Sequence, residues 1–102
     1  MATTKRMDPE LLRQLDAAHG TDERVAATVS IRRKRGKPVP EEIDTAVRVA
    51  LDRAVKKSGL NPSDLHVMGR VAAAYVSGPE ELIREFIRQP EVTGAVANQA
   101  QA

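Results

Sequence analysis

Apolar residues recur along this chain at spacings that predict three helices. The longest stretch, 40–58, places apolar side chains three or four positions apart, which is typical of a helix with one buried face. The stretches 8–19 and 79–89 have the same spacing. Each stretch begins with a proline beside acidic residues. Proline suits the first helical turn because its missing N–H needs no partner there, and acids complement the positive end of the helix dipole.

Four further segments have the pattern of β-strands. Residues 25–31 alternate, so that the larger aliphatic side chains would face one side and small polar ones the other. The segments 65–68 and 71–76 are separated by a Gly-Arg pair, which predicts a hairpin with a tight turn. Residues 92–96 supply a last strand, weakened by Gly94.

After the first helix, the order of these elements is β-α-β-β-α-β. Two βαβ units joined by a hairpin fold as a four-stranded antiparallel sheet with both long helices on one face. We therefore predict an α+β, ferredoxin-like sandwich with an extra N-terminal helix. Its domain spans 25–98, preceded by an N-terminal segment, 1–24, that contains the short helix, and followed by a flexible tail, 99–102.

If both long helices cover one side of the sheet, the other side is open unless the first helix covers it. The outward side chains would be small and nearly uncharged, which indicates a docking surface rather than an ordinary solvated face. The alternative is that the three leucines of helix 8–19 fold across this side. The predicted outward positions are Ala26, Thr28, Ser30, Val71, Ala73 and Tyr75.

Composition excludes several classes of protein. The 102 residues are 41% hydrophobic, enough for a core without cross-links. The absence of cysteine excludes disulfides, a thiol nucleophile and thiolate metal sites. No apolar stretch reaches the roughly 18 residues of a membrane span, and the N-terminus lacks the apolar core of a secretory signal. We therefore expect a cytoplasmic protein.

The C-terminal third combines a small-residue strand, a Gly-Pro-Glu-Glu helix start at 78–81, an Ile-Arg-Gln-Pro stop at 87–90 and a final Val-x-x-x-Val strand. In these features the chain resembles subtilisin propeptides and their free-standing inhibitor relatives, loosely over 25–98 and most closely over its last 28 or so residues. In that family the open sheet face packs on two helices of the protease, and the C-terminal tail lies in the active-site cleft like a substrate. Members act as folding chaperones and inhibitors of the protease.

The resemblance therefore implies a protein-binding domain, an inhibitor or chaperone-like partner of a subtilisin-like serine protease. It assigns Thr28, Ser30, Ala73 and Tyr75 to the docking face. The tail that would enter the cleft comprises Ala97, Asn98, Gln99, Ala100, Gln101 and Ala102.

A cluster of cations in the loop after the first strand favours an alternative, nucleic-acid binding, because several such groups contact phosphates in a salt-dependent way. Folds of this kind that bind single-stranded RNA stack bases on aromatic side chains of the sheet, and here only Tyr75 could do so. A homodimer that buries the open sheet face is a further alternative. The cations are Arg32, Arg33, Lys34, Arg35 and Lys37.

No residues form a recognisable catalytic or metal-binding pattern. His19 and His66 are far apart and lack the spacing of metal ligands. Ser58, Ser63 and Ser77 occupy predicted caps and turns, where hydroxyl groups satisfy backbone N–H groups. We therefore predict a non-enzymatic protein without a metal or cofactor.

Overall fold

The computed structural model describes residues 6–33 and 36–98. Every predicted helix and strand is present, with bounds that differ by three residues at most. A 3₁₀ turn, Gly69–Val71, and a short N-terminal strand complete the fold. The elements are β1 (Arg6–Met7), α1 (Pro9–Ala18), β2 (Arg24–Ile31), α2 (Pro40–Ser58), β3 (Asp64–Met68), β4 (Ala73–Pro79), α3 (Glu80–Ile87) and β5 (Val92–Ala97).

The five strands form one mixed sheet in the order β1-β5-β2-β4-β3. The α+β class is confirmed, but the prediction of a four-stranded antiparallel sheet was wrong, because β1 adds a parallel strand beside β5. Two residues are too few for alternation to reveal a strand in the sequence. The pairing also depends on Gly94, where an added Cβ would lie 2.9 Å from the Arg6 carbonyl oxygen.

The three helices form one layer on a single face of this sheet. Helix α3 contacts both α1 and α2, and all three helices contact the sheet. Leu11 and Leu15 of α1 are fully buried in the same core as Phe86 and Val29, whereas Leu12 is 41% exposed. The alternative in which the leucines of α1 fold across the opposite sheet face is therefore wrong, and the described residues form a two-layer α/β sandwich.

The connection between β3 and β4 is longer than the predicted tight turn. It runs through the 3₁₀ turn and then through Ala72, which has a left-handed φ of 53°. Gly69 opens the turn and packs against the first residue of α2: an added Cβ would lie 2.7 Å from the Pro40 Cα. The β3–β4 hairpin thereby also fixes the start of α2.

Candidate functional site

The sheet face opposite the helices, here called the open face, carries four rows of side chains that cross the strands. Paired residues on neighbouring strands point to the same side of a sheet, so the pairing register defines each row. The N–H of Asn98 donates to the carbonyl of Ala26 (3.1 Å) and extends one row past β5. Arg6 of β1 pairs with Gly94 and lengthens another row. The rows are Val96-Thr28-Tyr75-His66, Arg6-Gly94-Ser30-Ala73-Met68, Asn98-Ala26-Ser77-Asp64 and Arg24-Pro79.

The centre of the open face is poor in charge and made of small groups. Its charged side chains lie at the margins: Arg6 on β1, Arg24 at the start of β2 and Asp64 at the start of β3. The central row joins an apolar side chain, Val96 (51% exposed), to the aromatic ring of Tyr75 across Thr28. A surface with this composition can be desolvated at low cost when another protein packs on it.

The four predicted docking residues of the sheet lie together at the centre of the open face. Thr28 is opposite Tyr75, and Ser30 is opposite Ala73. Val96, which pairs with Thr28, was not among the docking residues predicted from the sequence. Its outward direction follows from strand alternation only when the β2–β5 register is known, and no local signal encodes that register.

The predicted C-terminal contact segment begins inside the sheet. Ala97 is the last residue of β5, opposite Ala27, with its side chain against the core. Asn98 continues the pairing with β2. Gln99, Ala100, Gln101 and Ala102 lie outside the described residues.

Asp8 fixes the place where the chain leaves β5. Its carboxylate accepts hydrogen bonds from the N–H of Glu10 (3.1 Å) and the N–H of Ala97 (3.0 Å). Its own N–H donates to the carbonyl of Ala95 (3.0 Å). The residue that caps the start of α1 therefore also holds the end of the last strand.

The cations of the basic loop share a groove with acids. Arg32, Arg33 and Lys37 line a groove of about 840 Å³, next to the N-terminal half of α2. The Arg32 guanidinium donates to the carbonyl of Pro90 (3.0 Å). Three carboxylates, Glu41, Glu42 and Glu91, line the same groove, so its charge is mixed. Lys34 and Arg35 lie outside the described residues.

A cluster of charged side chains ties α1 to α3. Glu80, only 6% exposed, is bonded to Arg84 and to His19 Nδ1 (3.2 Å), and Arg84 also reaches Asp16 (2.8 Å). Burial by itself would raise the pKa of Glu80, but the hydrogen bonds and electrostatic attraction of Arg84 and His19 together outweigh burial and lower this pKa. From the sequence, Glu80 was predicted only as an acid of the first helical turn, and its burial was not predicted.

Replacing Glu80 by glutamine is expected to lower the free energy of unfolding at pH 7 by about 1–2 kcal/mol, since its hydrogen bonds lose their charge. A lowered pKa means that the contribution is complete above the pKa of the unfolded chain and is lost as the pH falls through the folded pKa. Urea unfolding at pH 7 and pH 3 should therefore show the two proteins converging in stability at acid pH.

The matched control for this substitution is Glu81→Gln, one residue further along the first turn of α3 and exposed to solvent. It should change the free energy of unfolding by less than about 0.5 kcal/mol at either pH. A difference between parent and Glu80→Gln that is the same at both pH values would contradict the role assigned to the carboxylate.

The histidines and serines considered as catalytic or metal-binding residues are dispersed in the structure. His19 belongs to the charged cluster, His66 lies at the edge of the open face, and the Ser58 hydroxyl accepts a bond from the N–H of Leu60 (3.2 Å). Within 6–33 and 36–98, no three His, Asp or Glu side chains are placed to hold a metal ion. None of the helices in those residues is long and apolar enough to cross a bilayer.

Comparison of this chain with family models, curated proteins and solved structures found no significant match of any kind.

Proposed function

We propose that this chain is a non-enzymatic protein-binding module that docks on its partner through the open face. The observation that carries the proposal is the position of α1: Leu11 and Leu15 are buried in the helix layer, so none of the helices within 6–33 and 36–98 covers the opposite side of the sheet. Small, uncharged side chains at the centre of this face let a partner approach the strands closely without desolvating charges. The exposed Val96 and the Tyr75 ring supply the apolar centre that protein interfaces need.

The partner we propose is a subtilisin-like serine protease in the cytoplasm. The resemblance of the last 28 or so residues to subtilisin propeptides supports this choice, and so does the ferredoxin-like element order from β2 to β5. In the proposed complex the open face packs on the protease, and the segment after β5 enters its cleft as an extended strand. Asp8 would set the direction of that segment by holding Ala97.

The test is titration of a purified subtilisin with the parent protein and three variants. Ser30→Lys places a charge on an exposed position of the open face, and Ala17→Lys adds the same charge to an exposed position of α1. Ser30→Lys should weaken inhibition at least about tenfold because the new ammonium would be desolvated on docking. Ala17→Lys should inhibit like the parent.

The third variant lacks residues 99–102. It keeps Ala97, whose N–H is bonded to Asp8, so the fold loses no described contact. It should still bind the protease, measured by calorimetry with an active-site-blocked enzyme, but should no longer inhibit it. Equal inhibition by parent and Ser30→Lys, or no binding by the parent, would reject the open face as the docking surface for this protease.

Nucleic-acid binding is the second candidate, since Arg32, Arg33 and Lys37 line a single groove. Its support is weaker, because three carboxylates line the same groove and would repel phosphates. If this function holds, neutralising the first four cations of the loop (residues 32–35) should abolish binding of a single-stranded oligonucleotide and its steep salt dependence. Absence of binding by the parent at low salt would exclude it.

A further inference from the structure

Strand β3 forms an edge of the sheet with one side unpaired. Within the described residues, β3 pairs with β4 alone, whereas the other edge of the sheet is extended by β1. Its sequence, Asp-Leu-His-Val-Met, contains no proline or lysine. These are the residues that commonly block pairing at exposed edges, so β3 can accept another strand.

The alternation of hydrogen-bonded positions along the strands identifies the backbone groups of β3 that face outward from this edge. The N–H of Ile31 donates to the carbonyl of Ala72 (2.8 Å). Because bonded and unbonded positions alternate along an antiparallel strand, even-numbered residues of β4 bond to β2 and odd-numbered ones to β3. The odd-numbered residues of β4 lie opposite the even-numbered residues of β3. Leu65 and Val67 therefore direct their N–H and C=O groups away from the sheet.

The side chain of Asp64 supports this assignment. Its carboxylate accepts a hydrogen bond from the N–H of Leu65 (2.9 Å), which a group directed toward β4 could not donate. Asp64 is exposed, so its carboxylate can return to water when another acceptor takes this N–H. The outward N–H of Leu65 is thus held by a partner that is readily replaced.

We propose that β3 pairs antiparallel with β3 of a second copy of this chain, about a two-fold axis at His66. In this register, Leu65 of each copy lies opposite Val67 of the other. The two bonded pairs contain four N–H···O hydrogen bonds and use every outward N–H and C=O group of Leu65 and Val67 in both copies. A shift by two residues would leave one of these residues opposite a position outside β3.

The side chains are compatible with this pairing. Leu65 and Val67 face the helix side, where both pack partly against the core, so their cross-strand contact extends the apolar layer. On the open face, His66 of one copy lies opposite His66 of the other copy across the axis. The pairing joins two sheets into one of ten strands and doubles the open face without covering it. The pairing uses only groups of strand β3, so its test is independent of the protease proposal.

Sedimentation equilibrium with charge variants at His66 tests the register. The parent should sediment at twice the monomer mass of 11.1 kDa. His66→Glu and His66→Lys, at an exposed position, should each dimerise about fivefold more weakly, because like charges would face each other across the axis. An equimolar mixture should form heterodimers at least as tightly as the parent. Circular dichroism verifies that both variants are folded.

Three results would overturn the proposal. The first is a parent that keeps the monomer mass at millimolar concentration. The second is a mixture that associates no more tightly than either variant alone. The third is a dimer that dissociates in Ser30→Lys but not in the His66 variants, because this pattern would place the contact on the open face instead of the β3 edge.

Discussion

Replacing Leu15 by alanine is expected to lower the free energy of unfolding by about 3 kcal/mol. Leu15 is fully buried between α1 and the rest of the core, and the truncation would leave a cavity in the helix layer. Urea denaturation followed by circular dichroism measures this change. The effect is large because α1, although it lies outside the β-α-β-β-α-β unit, contributes to the same core as α3 and the sheet.

Leu12→Ala is the matched control, since it makes the same chemical change in the same helix. Leu12 is 41% exposed, and its truncation should cost about 1 kcal/mol or less. A cost for Leu12→Ala as large as that of Leu15→Ala would mean that α1 packs with a different side toward the protein. The claim that the open face is uncovered would then lose its basis.

Replacing Gly69 by alanine is expected to lower the free energy of unfolding by about 2 kcal/mol. The added Cβ would lie 2.7 Å from the Pro40 Cα and 2.8 Å from its Cβ, so the 3₁₀ turn and the start of α2 must separate. The smaller conformational entropy of alanine in the unfolded chain offsets only part of this loss. Thermal or urea unfolding measures the difference.

Arg70→Ala, at the next position of the same turn, is the control because Arg70 is exposed. Its effect should stay below about 0.5 kcal/mol. If Gly69→Ala is as stable as the parent, the 3₁₀ turn does not pack against α2 in solution. The position of β3 relative to the helices would then differ from its position in the structure.

The position of α1 connects the fold to the proposed activity. Because α1 packs beside α3 and is tied to it by the Glu80 cluster, the N-terminal segment stabilises the helix layer. Helix α1 leaves free the face that we assign to docking. Asp8 then links this segment to the end of β5, so the described N-terminal and C-terminal ends of the fold are held at the same edge of the sheet.

Local chemistry made the elements predictable from the sequence. Helix α2 begins and ends at the predicted residues because Pro40 suits a first turn and Gly59 takes the left-handed conformation that ends a helix, with φ 74°. The alternation of 25–31 likewise identified the inward side of β2, since every second side chain must face the same way. The small, uncharged centre of the open face followed from the same alternation, whereas Arg6 joins this face only because β1 pairs with β5.

The amino-acid sequence by itself determined the helices, the four longer strands, their order along the chain and the small, uncharged character of the side chains at the centre of the open face. These properties arise from interactions between residues a few positions apart. Tertiary structure alone decided the side on which α1 packs, the pairing of β1 with β5, the register that brings Val96 beside Thr28, and the burial of Glu80. Each of these depends on contacts between residues distant in the chain, and such contacts leave no periodic pattern in the sequence.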